Sequence, residues 1–533
     1  MHRIALMLAA LACCASVHAG KEPGALRLEM QAEYRRDVLD YDDREKNFTR
    51  EKIRLGFGES FADVTHVYVG EDRGHRFTGS LALRGITPYF DCVAGHYYAN
   101  FGAGLIAGKK TYASPDPFTR GPILTRGAPF TPCTGGNPLY CFQGLAGGFI
   151  IPAGPVSLSV RGFFSYRDRF VRNDIYLPDV TGTSFGSIIA RREKDYRYSE
   201  PVVISDYGCV IELCIAERLL LQGYFIHSGI SRTTGRSLLW NYGDRHLLLG
   251  EKTFYAYGFF SQYRDDYIRI FLEAGIPSRV MTTVSGKRAV LRDYGLVYGL
   301  SFSHGACAIS FTGKNCGNDF YTPYGAGGSH AESSWLAGVA VRPLRGLAVE
   351  GSFYAEKKKS SGSALSYLPF IKRERIRIRY AVPRVAYCSL GATALQEEKK
   401  NGRQRALQIR AAAGIYILKS ILISASGTAQ RAEDGRWSGS LRAGASFCML
   451  RFVSLSFSYS RFFISGGGPL YTPAASGRNS ISTGRYVSES SHVADCTLSV
   501  RYRGCRLSTR YRCEFTGSRP LKHRVEVSGR AVF

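Results

Sequence analysis

Hydrophobic and polar residues alternate along most of this chain with a period of two. Val453, Leu455, Phe457 and Tyr459 stand against Ser454, Ser456, Ser458 and Ser460. Tyr294, Leu296, Tyr298, Leu300 and Phe302 oppose Gly295, Val297, Gly299, Ser301 and Ser303, and Val156, Leu158, Val160, Phe164 and Tyr166 oppose Ser157, Ser159, Arg161 and Ser165. Successive side chains of a strand point to opposite faces, so this period predicts strands with one apolar side. The same pattern places strands at 26–34, 53–57, 64–70, 77–85, 89–98, 219–228, 254–263 and 267–276. It places more at 335–341, 347–353, 375–381, 405–415, 421–429, 441–447, 496–502 and 505–515. Clusters of Gly, Asp, Pro and Arg between them read as turns. Residues 523–533 give a final strand, with Val525, Val527, Gly529, Ala531 and Phe533 opposite Arg524, Glu526, Ser528 and Arg530.

A chain of 533 residues holds either several soluble domains or one large barrel. His2 and Arg3 precede an apolar run ending at Val17-His18-Ala19, which predicts a signal peptide over residues 1–19. A short N-terminal core helix and lipid attachment at Cys13 are the alternatives. Beyond residue 20 no stretch reaches the roughly 18 uncharged apolar residues that a spanning helix needs. Export, 13% aromatic residues, 59 Gly and a mean hydropathy of -0.12 fit an all-β fold. The expectation is a large transmembrane antiparallel β-barrel of about 20 to 24 strands over residues 20–533, because half of each strand can then be polar. A soluble sandwich or propeller shares the alternation but does not so often place aromatics at strand ends. The ending resembles the C-terminal signature of bacterial outer-membrane barrels, a terminal Phe behind alternating apolar residues. That likeness implies location in the bacterial outer membrane, with Phe533, Val527 and Val525 as the signal read by the barrel assembly machinery.

Three stretches break the alternation. Residues 100–155 carry Ser114-Pro115-Asp116-Pro117, Pro129-Phe130-Thr131-Pro132 and Gly135-Gly136-Asn137-Pro138, and are too long for an idle connection. They are predicted as an insertion that enters the lumen as a plug or caps its mouth. Within it, residues 102–111 have the glycines and Gly108-Lys109 of a phosphate-binding loop but lack its first Gly and its final Ser or Thr. Residues 167–201 and 466–490 read as further long loops.

The formal net charge of +27 falls to +26 once Arg3 leaves with the signal peptide. Such a surplus implies anionic company. Arg375, Arg377 and Arg379 alternate with Ile376, Ile378 and Tyr380, Arg501 and Arg503 with Val500 and Tyr502, and Arg506, Arg510 and Arg512 with Leu507 and Tyr511. With Arg524 and Arg530 these form the candidate pore lining, because guanidinium groups stay charged and fork onto carboxylate or phosphate. The alternative is that they pair with acids and stiffen the wall.

Two of the 14 Cys fall in the signal peptide, leaving twelve for disulfides whose pairing stays open. Cys133 with Cys141, Cys307 with Cys316, and Cys505 with Cys513 are the near neighbours. No CxxC pair or zinc spacing occurs, and the His residues are scattered singly. No metal site, no cofactor and no enzyme activity are therefore expected.

Tyr97-Tyr98-Ala99-Asn100-Phe101-Gly102-Ala103-Gly104-Leu105, then Phe142-Gln143-Gly144, then residues 156–166 resemble a stretch of competence-labelled outer-membrane barrels. Those barrels in some bacteria carry an N-terminal helix-hairpin-helix part. The resemblance implies a barrel with an inward loop. No helix-hairpin-helix precedes the first strand here, which turns the expectation away from nucleic acid as a partner. The sequence reading is thus a porin-like channel passing small anionic or polar solutes. A surface-exposed binding or antigenic barrel with an occluded lumen, and a barrel for DNA uptake, are the alternatives.

Overall fold

The computed structural model describes residues 26–39, 46–57, 60–69, 74–87, 89–108, 129–133, 141–172, 199–232, 238–242, 245–283, 288–317, 320, 322, 324–325, 332–358, 370–399, 402–418, 420–432, 435, 437–450, 452–464, 470–472, 485–487, 491–502, 505–516 and 519–532. The predicted signal peptide, Arg503 and Phe533 lie outside these residues.

The chain is a closed antiparallel β-barrel of 24 strands. Three short strands, Phe130–Pro132, Leu238–Tyr242 and Arg288–Arg292, pair alongside them. Each wall strand pairs with the next in sequence, and Leu26–Leu39 pairs with Arg519–Val532 through Met30 with Ala531 and Tyr34 with Val527. Closure removes the open edges that would otherwise leave backbone N–H and C=O groups unpaired. At one rim the connections are short, as from Ala153 to Val156 and from His304 to Cys307. At the other rim the strand ends are separated by longer intervals of sequence, as between Ala99 and Phe142, Arg172 and Ser199, Cys316 and Glu332, and Ile464 and Ser491.

Alternation becomes burial. Along Val156–Arg172, Ser159, Arg161, Phe163, Ser165 and Arg167 are buried, while Val160, Phe164 and Tyr166 are exposed. Phe149 and Ile376, each 62% exposed, show how openly the apolar side faces outward. The other face is the inner one, by a simple geometric test. The Phe101 ring lies 6.1 Å from Phe163 and 5.2 Å from Tyr224, and the N–H of nearby Ala103 reaches Glu273. Those three wall residues belong to alternate strands spread over about 19 Å of sheet. Two residues so close in sequence touch all three only from the concave side.

Four expectations are corrected. Phe142–Ala153 is a wall strand, so the insertion runs over 100–141 and not 100–155. Its Gly144, Gly147 and Gly148 conceal the alternation because they are where the neighbouring backbone comes close: a Cβ on Gly148 would sit 2.1 Å from the Val160 carbonyl oxygen. Residues 167–201 are not all loop, since Val156–Arg172 and Ser199–Ile215 run through their ends. The strands Cys307–Cys316 and Ala386–Lys399 were also unread in the sequence. Finally, among the described residues the one disulfide joins Cys133 and Cys141, with Cα atoms 6.3 Å apart, and Cys307, Cys316, Cys505 and Cys513 form none. Each of the latter pairs lies on one extended strand, where eight or nine residues separate the thiols by about 26–30 Å, far beyond disulfide reach.

Candidate functional site

The inner face has two unlike halves. Over the strands from Gly74–Thr87 to Cys307–Cys316 it is aromatic and apolar, with Val93, Tyr97, Phe142, Phe163, Tyr224, Phe260, Phe271 and Val297 buried. Residues Asn100 to Gly108 fill this side. Phe101, Ala103, Leu105, Ile106 and Ala107 are fully buried against it. Tyr97 stacks on Phe142 at 5.7 Å in the same core.

The segment turns sharply because Gly102 and Gly104 adopt φ of 52° and 89°, open to glycine at no steric cost. The turn aims the N–H groups of Ala103 and Leu105 at one side chain, while Gly104 N donates to the Phe101 carbonyl. Ala103 N donates to Glu273 Oε2 at 2.7 Å, and Leu105 N approaches both carboxylate oxygens at 3.2 and 3.3 Å. Gly102 N donates to Gln222 Oε1 at 2.7 Å, and the Tyr224 hydroxyl donates to Glu273 Oε1. Glu273 itself has no exposed surface. The glycine turn thus cradles a carboxyl group of the wall.

The far end of the insertion is tied down separately. The Cys133–Cys141 disulfide closes an eight-residue interval, and Arg167 Nη1 donates to the Cys141 carbonyl at 3.0 Å. Arg167 Nη2 also donates to Asp206 Oδ2 at 2.6 Å in a fully enclosed ion pair. Arg84 Nη2 donates to the Phe130 carbonyl at 2.6 Å.

The second half, over the strands from Glu332–Leu344 round to Lys46–Phe57, presents Ser, Thr, Gln and Arg inward. By strand register, Arg375, Arg377, Arg379, Arg501, Arg506, Arg510, Arg512, Arg524 and Arg530 all fall on this inner face. Arg510 donates to Asp495 at 3.1 Å and lies 3.9 Å from Glu526, Arg512 lies 3.8 Å from Asp495, and Arg377 lies 4.0 Å from Glu350. Arg501, Arg506 and Arg530 lie in register on three adjacent strands, all exposed. Val525 and Val527 fall on the outer face, in register with Tyr511 and Thr509.

Glu273, Tyr224, Gln222, Arg167 and Asp206 were not singled out from the sequence. A lone acid at an inward position between Phe271 and Gly275 was the available signal. Among the described residues no group of three His, Cys, Asp or Glu side chains is placed to hold a metal ion.

No family model and no curated protein matches the chain. Among solved structures it is similar to the ferric enterobactin receptor (PfeA) from Pseudomonas aeruginosa, at 8% identity and a TM-score of 0.47, covering 97% of this chain and 81% of that one. It is similar to the siderophore receptor PirA from Pseudomonas aeruginosa, at 7% identity and a TM-score of 0.47, covering 95% and 80%. It is also similar to the translocation pore of the P pilus usher (PapC), at 9% identity and a TM-score of 0.41, covering 95% and 99%. At such identities and scores these likenesses carry no argument here, and the architecture rests on the strand register itself.

Proposed function

We propose that the chain is an outer-membrane channel for small anionic or polar solutes, exported by a cleaved signal peptide at residues 1–19. Its insertion blocks one side of the lumen as a plug and leaves a basic corridor along the other. The observation that carries this reading is the gathering of arginine on one inner face, with Arg501, Arg506 and Arg530 in register on three adjacent strands and Arg375, Arg377 and Arg379 on another. The outward girdle of exposed Phe, Tyr, Leu and Ile supports a lipid surround, since an apolar band and a polar interior are what a membrane barrel needs.

Planar-bilayer recording of the purified barrel tests it. Anion-selective current that weakens when Arg501, Arg506 and Arg530 become Ser is the expected result. Cation preference would remove the anion channel. The tightly held segment at Asn100 to Gly108 favours a second reading, a surface barrel with an occluded lumen, and complete absence of current would select it.

A further inference from the structure

Among the described residues the apolar outer face gives way to charge near the long-loop rim, at Glu51, at Arg461 and, most densely, over one run of adjacent strands. Two adjacent rows of outward residues can be followed there from strand to strand. Trp335, Ala355, Lys372, Gln396 and Arg405 are successive register partners in one row. Phe353, Glu374, Ala394, Leu407, Arg431 and Trp437 are partners in the next. The row below, Val339, Gly351, Ile376, Ala392, Ile409 and Ala429, has no charge at all. The boundary between oily and charged wall therefore runs just beneath Lys372, Arg405 and Arg431.

A cleft of about 420 Å³ opens between these three cations, floored by Ala394 and Leu407. Aromatic rings brace two of them: the Lys372 ammonium lies 5.5 Å from the Phe353 ring centre, and the Arg431 guanidinium 5.8 Å from that of Trp437. Such cation–aromatic pairs suit the membrane interface, where Trp and basic side chains face lipid headgroups. Among the described residues lining the cleft are three cations and one acid, Glu374, which pairs with Lys372 at 2.7 Å.

We propose that this cleft binds a phosphorylated glycolipid of the surrounding outer leaflet. The inference rests on the outer-membrane reading above, and the occupant follows from where the cleft lies. It opens outward at the upper edge of the apolar rows, where lipid headgroups would lie against the wall, and its cations suit anionic headgroups. Long loops mark the external side of such barrels. The three cations sit on strands spread over about 14 Å, wider than one phosphate, which suits a saccharide headgroup with two. Acyl chains then run down over Ile409 and Ala429.

The test is native mass spectrometry of the full-length barrel in detergent with diphosphoryl lipid A, monophosphoryl lipid A and phosphatidylglycerol as probes. Diphosphoryl lipid A is expected to be retained about tenfold over the others, the scale of one or two charge-assisted hydrogen bonds. The triple variant K372Q/R405Q/R431Q is expected to lose that preference while keeping heat-modifiable gel mobility and its ion current, because these side chains point away from the lumen. Equal retention of the three lipids, or an undiminished preference in the variant, overturns the proposal. A wild-type protein without heat-modifiable mobility overturns the outer-membrane reading itself.

Discussion

Glu273 accepts the backbone N–H of Ala103 at 2.7 Å across 170 residues of chain. That bond fastens the inserted segment to the wall, with Leu105 N and the Tyr224 hydroxyl on the same carboxylate. The variant Glu273→Gln keeps the size but replaces one accepting oxygen with an NH2 group, which leaves a buried donor unsatisfied. An unsatisfied buried donor costs about 1–3 kcal/mol, so the turn should loosen by roughly that amount. Larger and more frequent openings in planar bilayers, with faster proteolysis inside residues 100–141, are the expected outcome. Unaltered current and cleavage would show that Glu273 does not hold the segment.

The same carboxylate depends on how closely the Tyr224 ring lies to Gly258. A methyl group there would sit 2.0 Å from Tyr224 Cζ, so Gly258→Ala must displace the ring from Glu273 and Phe101. Overpacking of this kind costs about 1–3 kcal/mol. The temperature at which the folded gel band disappears should fall, while Gly223→Ala, which meets open space, should leave it in place. An equal drop in both variants would sink the argument.

Neighbouring residues on the closing strand should answer oppositely to the same charge. Val527 lies on the outer face and Ser528 on the inner. Val527→Arg should cost about 2–4 kcal/mol if its level is near the bilayer midplane, and Ser528→Arg far less. Guanidinium unfolding of the barrel refolded into vesicles measures both, and equal costs would contradict the assignment of faces.

In the short turn after Arg264, Asp265 takes the N–H groups of Ile268 and Tyr267 at 2.5 and 2.7 Å. These bonds, Ile268 first, hold its carboxyl below the usual Asp range. A depressed carboxyl pKa stabilises the folded state above the unfolded value, and the benefit disappears as pH falls through the folded one. Asp265→Asn should therefore unfold more easily than wild type near neutral pH, with the gap closing in acid. A gap that persists at low pH would mean the side chain acts through something other than its charge.

The wall was largely legible because lipid outside and water inside write a period of two into each strand. The tally failed where an inward face carries side chains that resemble a loop's. Ser199–Ile215 holds Pro201, Asp206 and Glu212, yet Asp206 and Glu212 point into a packed interior where Arg167 and Gln222 meet them. Likewise the arginines were legible as a face, since alternation alone puts Arg375, Arg377 and Arg379 on one side. Which arginines find acids was not, because Arg510 meets Asp495 and Glu526 only through the pairing of three strands. Glu273 depends on contacts 170 residues away, which no local pattern records.

The two halves of the inner face also fall in different parts of the chain. Every residue of the aromatic core, from Ala82 to Phe320, precedes the strands that carry Arg501, Arg506 and Arg530. The inserted segment and the wall that buries it are thus close in sequence, whereas the seam that shuts the barrel joins the two most distant strands of the chain, Leu26–Leu39 and Arg519–Val532.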